Sequence, residues 1–507
     1  MGTTIDPHLP SVVSGSRNLT YYLAISVVLF LAWTWRSRKP ASGVDAPFYK
    51  ASKLKWMFDA ETLIIDSYNK FRGTVYQIKA TEGVQVLIPA NLIGELKGLP
   101  EDVLSSAEAV SEALLTKYTG FSAGHNGDLM TTLLSKRLTQ NFARLVPRLR
   151  EELEYITATE FPECKDWTPV KFQPFALRAV ARMSGRAFVG PEINRCEQWM
   201  DTSINFATHV FVAVVKLQHF PEWLRPLARH LVSELRQIGR DISIGEQLLG
   251  PVFRERLRGM ESPGYEGPDD LMQWLLEGLV EQDREDLYVQ TKLQLILAAA
   301  SIHTMNNLLT ECMYDLAAHP EVQEMLREEA HQVLEVEGGW HKKEAMAKLK
   351  KLDSFMKEVQ RTNGNPTTFI RKVVKPITLS DGTYLPPGTK LLAPLAGFSQ
   401  DPDLYPDPST FDPLRFHRLR QRSKSDSNRY QFTSLGDGNM NFGAGRHACP
   451  GRFFAGNEVK MALGFFLLNY EIALPEGKGR PKAMVVVMSR VPDQKAELLF
   501  RRRTVAE

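Results

Sequence analysis

Cysteine is scarce in this 507-residue chain: Cys164, Cys196, Cys312 and Cys449 are the only four, and they lie far apart. That spacing excludes a CxxC metal clip and a dense disulfide framework, and it suits a reducing compartment. Net charge is also small, +3 at pH 7. The basic residues are dispersed and form no stripe that would follow a phosphate backbone, so nucleic acid is not an expected partner. No Pro/Gly/Ser-rich linker or charge block follows residue 50, and there is no visible internal repeat or glycine-rich dinucleotide fingerprint. What is present, 43% hydrophobic and 24% charged residues, is the composition of a globular protein with a large core. One large domain is expected over residues 41–507, preceded by a distinct segment over residues 1–40.

That segment carries no charge from Leu19 to Trp35, and Arg36, Arg38 and Lys39 follow at once. The run is slightly shorter than the roughly 20 residues of a typical membrane span and suits a thin bilayer such as the endoplasmic reticulum. Tyr21, Tyr22, Trp33 and Trp35 stand near its ends, where amphipathic rings favour the interface, and the basic cluster predicts that the rest of the chain stays cytoplasmic. Only Arg17 precedes the run and bulky residues follow it, the reverse of a cleaved secretory signal. A single-pass signal anchor is expected.

Helical periodicity dominates from Glu101 to Leu349, with apolar residues repeating at three and four over Ser135–Tyr155, Ser203–Arg240 and Leu287–Ala318. After Arg361 the texture changes to short β-rich runs, at 368–374, 377–385 and 386–394, with a turn at Asp381-Gly382. Gly73–Ile78 and Val84–Ile88 predict a second small sheet near the amino end. The polar run Gln421–Arg429 reads as a solvated loop. The fold class is α+β, mainly α-helical with small sheets.

Three of the cysteines have no distinctive neighbours and read as small buried hydrophobes. Cys449 differs, because it lies in Phe442-Gly-Ala-Gly-Arg-His-Ala-Cys-Pro-Gly451. Glycines let a backbone approach a flat ligand closely. Phe442 is placed to cover the sulfur side, and Arg446 or His447 to meet an anionic edge. A helix beginning near Gly451 would set the thiol at its amino end, where the dipole favours thiolate. Glu358 and Arg361 are three apart on a predicted helix and can pair, with Arg415 as a second guanidinium.

FGAGRHACPG matches, at every fixed position, the cysteine-loop signature F-x-x-G-x-[H/R]-x-C-x-G of the cytochrome P450 family, and the chain resembles that family. Glu358-Val-Gln-Arg361 and Pro413-Leu-Arg-Phe416 resemble two further family motifs in the expected order. The resemblance implies a cytochrome P450 fold and haem b, with Cys449 as the axial iron ligand. It also implies propionate contacts at His447 and Arg371, close approach at Phe442, Gly443 and Ala300, and a structural trio of Glu358, Arg361 and Arg415. Lys136 or Arg137 is a further propionate candidate.

Leu293–Thr304 resembles the family's long central helix, which crosses over the haem. The small Ala299, Ala300 and Ser301 would allow close approach, and Thr304 lies four after Ala300, on the same face. By resemblance Thr304 is catalytic, helping to relay protons. Ser301 stands where glycine is usual, and His303 replaces the acidic residue. His303 is therefore either a proton carrier in its place or a structural partner of a neighbouring group.

The resemblance implies a haem-thiolate monooxygenase using O2 and electrons from NADPH through NADPH-cytochrome P450 reductase, with cytochrome b5 as a further donor, received on a basic proximal face. Ala-Ser-Ile-His-Thr and the run after the loop resemble fungal members acting on terpenoids and steroids, so an apolar small molecule of secondary metabolism is the expected substrate. Substrate contacts are expected from Gly120–Asp128, Asn205–Val214 and Asn363–Phe369. Two alternatives share these features: an isomerase or dehydratase of the same fold that uses no O2, and a non-catalytic haem-binding sensor.

Overall fold

The computed structural model describes residues 43–504 apart from Lys343 and Asp437. The expected anchor at Leu19–Trp35 lies outside them. Among the described residues no helix is long and apolar enough to cross a membrane.

Eight helices position the site: α1 (Ser106–Ala113), α2 (Thr139–Glu160), α3 (Phe172–Phe188), α4 (Glu197–Gln218), α5 (Ser233–Met260), α6 (Leu287–Ala318), α7 (Lys350–Thr362) and α8 (Arg452–Asn469). Helix α6 is the axis of the molecule, and α3, α4, α5, α7 and α8 all pack on it. Its start is fixed by Asp286, whose side chain accepts the N–H groups of Tyr288 and Val289. It contains neither glycine nor proline and is apolar around most of its circumference, as a helix enclosed by others must be. Its bounds are those the periodicity predicts.

The predicted helix at Ser203–Arg240 is instead two helices. Pro221 and Pro226 lack the N–H that a continuous helix needs, so α4 stops at Gln218 and short turns lead to α5. The stretch predicted from Ser135 begins as a π-helical turn, Leu133–Leu138, before α2. Within the expected loop at 421–429, Asp426–Arg429 forms one helical turn.

The two small sheets expected at the ends of the chain are one. Strands β1 (Phe48–Tyr49), β2 (Tyr76–Ala80), β3 (Gly83–Leu87), β4 (Leu104–Ser105), β5 (Thr368–Val373) and β6 (Lys390–Ala393) form a sheet in the order β1-β2-β3-β6-β5-β4. The join is the parallel pair β3–β6, with Val86 opposite Leu391 and Leu87 opposite Leu392. A separate three-stranded sheet joins Thr168–Val170, Tyr470–Ala473 and Leu498–Arg502. The main apolar core lies among the helices, and a second lies under the six-stranded sheet, so the site is built between them.

Candidate active site

Cys449 stands in the loop that leads into α8. Gly443 N donates to Met440 O at 2.8 Å and Cys449 N donates to Phe442 O at 2.8 Å, which closes the loop on itself. Gly443 and Gly445 have φ of 73° and 62°. A Cβ at Gly445 would lie 1.9 Å from Lys97 O, so only glycine fits there. The backbone N–H groups of Gly451 and Arg452, with the Arg452 charge, favour a thiolate at Cys449, but burial outweighs them and pushes the thiol up. The amino end of α8 therefore does not by itself produce the thiolate expected from sequence; a metal cation at the sulfur would.

Beside this loop a buried guanidinium and a half-buried imidazole converge. Arg371, on β5, donates from Nη1 to Ser106 Oγ at 3.0 Å and to Ile370 O at 2.8 Å, and its guanidinium lies 4.4 Å from the Phe369 ring centre. Burial pushes Arg371 down to about 10. His447 Nε2 is 2.8 Å from Glu101 Oε1, yet at an angle that makes no hydrogen bond, so this buried nitrogen is left unsatisfied. Burial, and then the neighbouring Arg371 charge, lower the His447 pKa. Glu101 is held by Ser105 Oγ at 2.7 Å and Ser106 N at 3.0 Å, at the start of α1. A carboxylate thus already lies against His447, where a carboxylate-bearing ligand edge would be received. Neither Glu101 nor Ser106 belongs to any sequence motif; an N-cap signal at Ser105 was the one visible trace.

Of the two other basic candidates, Arg137 is engaged elsewhere, with Nη1 donating to Glu277 at 2.6 Å and its guanidinium 5.0 Å from the Trp274 ring. Lys136 is exposed on the π-helical turn.

On α6, Leu293 and everything from Gln294 to Ala299 is buried, but Ala300 and Thr304 are exposed. Exposure in the middle of a helix covered by five others means that these two residues face an internal cavity. Thr304 Oγ1 donates to Ala300 O at 3.0 Å and Ser301 Oγ to Ala298 O at 3.2 Å, so the alanine and serine keep this face low. His303 points elsewhere: its Nε2 lies 3.1 Å from Ile204 O on α4. Burial lowers its pKa, so the ring is neutral and donates to that carbonyl.

Glu358, Arg361 and Arg415 are brought together and buried. Arg361 donates to Glu358 from Nη2 at 2.8 Å and from Nε at 2.9 Å, and Arg415 Nε donates at 3.1 Å. Among the expected substrate segments, Phe121 stacks on Phe206 with ring centres 6.1 Å apart, which joins the first to the second. Phe369, in the third, has a φ of 57° at a β-bulge.

A half-buried thiol in a glycine-cradled loop, a buried guanidinium at its side, an unsatisfied His447 nitrogen and a small-residue strip over a cavity fit a cysteine-ligated haem. The cytochrome P450 family model matches residues 106–500, and the chain belongs to the cytochrome P450 family. Members of that family hold haem iron through a cysteine thiolate.

Among its relatives are the cytochrome P450 monooxygenase AN1598 of Emericella nidulans, 34% identical over 100% of this chain and 96% of the relative. The monooxygenase BOA4 of Botryotinia fuckeliana is 35% identical over 88% and 90%. An ent-kaurene oxidase of Gibberella intermedia is 34% identical over 90% and 86%. The chain is thus similar to fungal monooxygenases and is an oxidoreductase.

Proposed function

We propose that this protein is a haem-thiolate monooxygenase that hydroxylates or otherwise oxidises an apolar substrate of terpenoid or steroid-like kind, using O2 and electrons from NADPH delivered by a separate reductase. The observation that carries the reading is the paired geometry of the Cys449 loop, which only glycines permit, and the Ala300–Thr304 strip exposed inside an otherwise buried α6. Similarity to ent-kaurene oxidase supports a terpenoid-like substrate.

Cys449 is assigned as the iron ligand, His447 and Arg371 as propionate contacts with Lys136 as a third, and Phe442, Gly443 and Ala300 as the residues that admit the porphyrin closely. When bound, the haem supplies oxygen activation and the oxidation of an unactivated C–H bond. The chain contributes orientation, water exclusion and protons. Thr304 Oγ1 holds a proton on a rotatable hydroxyl beside the cavity; turned from Ala300 O, it can donate toward the cavity interior. His303 is assigned to holding α4 against α6, since its N–H is used by Ile204. Glu358, Arg361 and Arg415 are structural.

The segment at 19–35 is taken as a single-pass anchor in the endoplasmic reticulum membrane, with the catalytic domain, 41–507, on the cytoplasmic side. Trp223, Leu227 and Leu231, at 69%, 68% and 78% exposure between α4 and α5, support contact with a membrane surface.

The test is the carbon monoxide difference spectrum of the reduced protein beside Cys449→Ala, followed by product-coupled NADPH and O2 consumption with a reductase. A strongly red-shifted Soret band absent from the variant is expected. Folded protein giving the carbonyl spectrum of a histidine-ligated haem would overturn the assignment.

A further inference from the structure

One face of α7 grips the segment that leads to the cysteine loop. Asp353 and Lys357 are four residues apart, hence on the same side of the helix, and both are buried. Asp353 Oδ2 accepts the backbone N–H of Phe432 at 2.8 Å. Lys357 Nζ donates to the carbonyls of Gln431 at 2.7 Å and Ser434 at 3.2 Å. Three backbone positions of an otherwise irregular segment, 431, 432 and 434, are thereby tied to a helix. Asp353 is itself held from two other directions, by Lys460 of α8 at 2.5 Å and by Arg420 at 3.2 Å.

These ties fix the Phe432 ring, which is fully buried. On one side it meets α8 at Gly456, where a Cβ would come within 3.0 Å of Phe432 Cδ1. On the other it stands edge-on to Phe442, with ring centres 5.2 Å apart and planes at 87°. Phe442 in turn offers the carbonyl that accepts the Cys449 N–H. An unbroken line of contact therefore runs from Asp353 and Lys357, through Phe432 and Phe442, to the cysteine.

We propose that Phe432, clamped by Asp353 and Lys357, is a positioning residue that holds Phe442 and the cysteine loop in place, so that the sulfur stays shielded from water once iron is bound. The inference rests on Cys449 being the iron ligand. A loosened Phe442 would admit water to the sulfur. Hydrogen bonds from that water would withdraw electron density from the thiolate, stabilising the reduced iron relative to the oxidised.

The experiment uses the haem-loaded full chain with Phe432→Leu and, separately, Lys357→Met, which keeps the stem but removes both hydrogen bonds to the carbonyls. Reduction potential is measured by anaerobic spectroelectrochemistry, alongside the reduced carbon monoxide spectrum. Both variants are expected to move the potential positive and to raise the fraction of the carbonyl complex whose sulfur is protonated. Phe500→Leu serves as the control. Phe500 is equally buried, and its ring neighbours are Phe161, Phe172, Phe466 and Tyr470; it is expected to lose stability while keeping the wild-type potential. Shifts for Phe432→Leu and Phe442→Leu are expected to combine less than additively. The clamp is overturned if both variants keep the wild-type potential, if Phe500→Leu shifts it equally, or if the two phenylalanine effects add fully. A wild-type chain without a thiolate-type carbonyl band would remove the ligand assignment itself, and the clamp with it.

Discussion

Replacing Glu358 by glutamine removes one charge and little volume, and it isolates the worth of the buried trio. The carboxylate is fully buried, at 0% exposure. It accepts two hydrogen bonds from Arg361, at 2.8 and 2.9 Å, two from Arg415, at 3.1 and 3.2 Å, and one from Asp412 N at 3.0 Å. In Glu358→Gln one oxygen becomes an amide donor facing guanidinium donors, and two buried cations keep only one neutral side-chain oxygen there besides backbone carbonyls, such as Ser399 and Pro408 for Arg361 and Pro406 and Thr410 for Arg415. Removing one member of a buried ion pair costs about 3–5 kcal/mol. Against a net stability of roughly 5–15 kcal/mol this is a large fraction. With a urea m value of at least about 3 kcal/mol/M for a chain of this size, the unfolding midpoint is expected to fall by up to about 1.5 M, with parallel loss of bound haem on purification. Replacing Glu358 and Arg361 together by apolar residues of similar size is expected to cost less than the sum of the single replacements, because no orphaned charge remains opposite that pair. A Glu358→Gln midpoint equal to wild type, or strict additivity in the double variant, would refute the view that the trio is held by its charges.

Gly445→Ala sets a Cβ against Lys97 O in a left-handed conformation, so an expected cost of about 1–2 kcal/mol from the backbone alone is joined by a clash, and haem incorporation measured by absorbance should drop sharply. Glu458, buried on α8 with Ser184 Oγ at 3.1 Å, is pushed up to about 8 by desolvation. Its folded pKa exceeds the unfolded one, so the native chain binds the extra proton, and stability should decline from about pH 4 to pH 8; Glu458→Gln should flatten that decline in a series of unfolding midpoints. Thr304→Ala is expected to leave haem binding intact and to lower product formed per NADPH consumed, measured with a reductase. His303→Leu, which loses one hydrogen bond to Ile204 worth about 1 kcal/mol, should retain that coupling ratio and shift the product pattern instead.

The fold was legible where its causes are local. Helix α6 shows an Asp286 cap, an uninterrupted apolar pattern and Pro320 just past its end, so periodicity alone gives its limits. The α4–α5 break was written in Pro221 and Pro226, but strong apolar repeats on both sides mask it. The merging of two small sheets was not legible, because the pairing of Val86 with Leu391 depends on contacts between distant parts of the chain. The site divides the same way. Cys449, His447, Glu358, Arg361 and Arg415 sit in motifs whose spacing is visible, whereas Glu101 matters through its approach to the distant His447, and Asp353 and Lys357 through tertiary bonds to backbone groups. The hydrogen bond of His303 to Ile204 O, in another helix, is likewise a tertiary contact that no local pattern shows.

The long-range β3–β6 pair also bears on how the chain is made. Strands β2 and β3 are complete early in synthesis, but β3's partner, β6, emerges roughly 300 residues later, which at about 5–20 residues per second is a wait of some 15–60 s. During that interval Val86 and Leu87 present an unpaired apolar strand edge, the kind of surface that recruits other nascent chains or chaperones. The sheet is thus a late checkpoint: ribosome-bound chains ending before Lys390 should remain protease-sensitive around residues 76–87, and chains extending past Ala393 and its neighbour β5 should gain protection there.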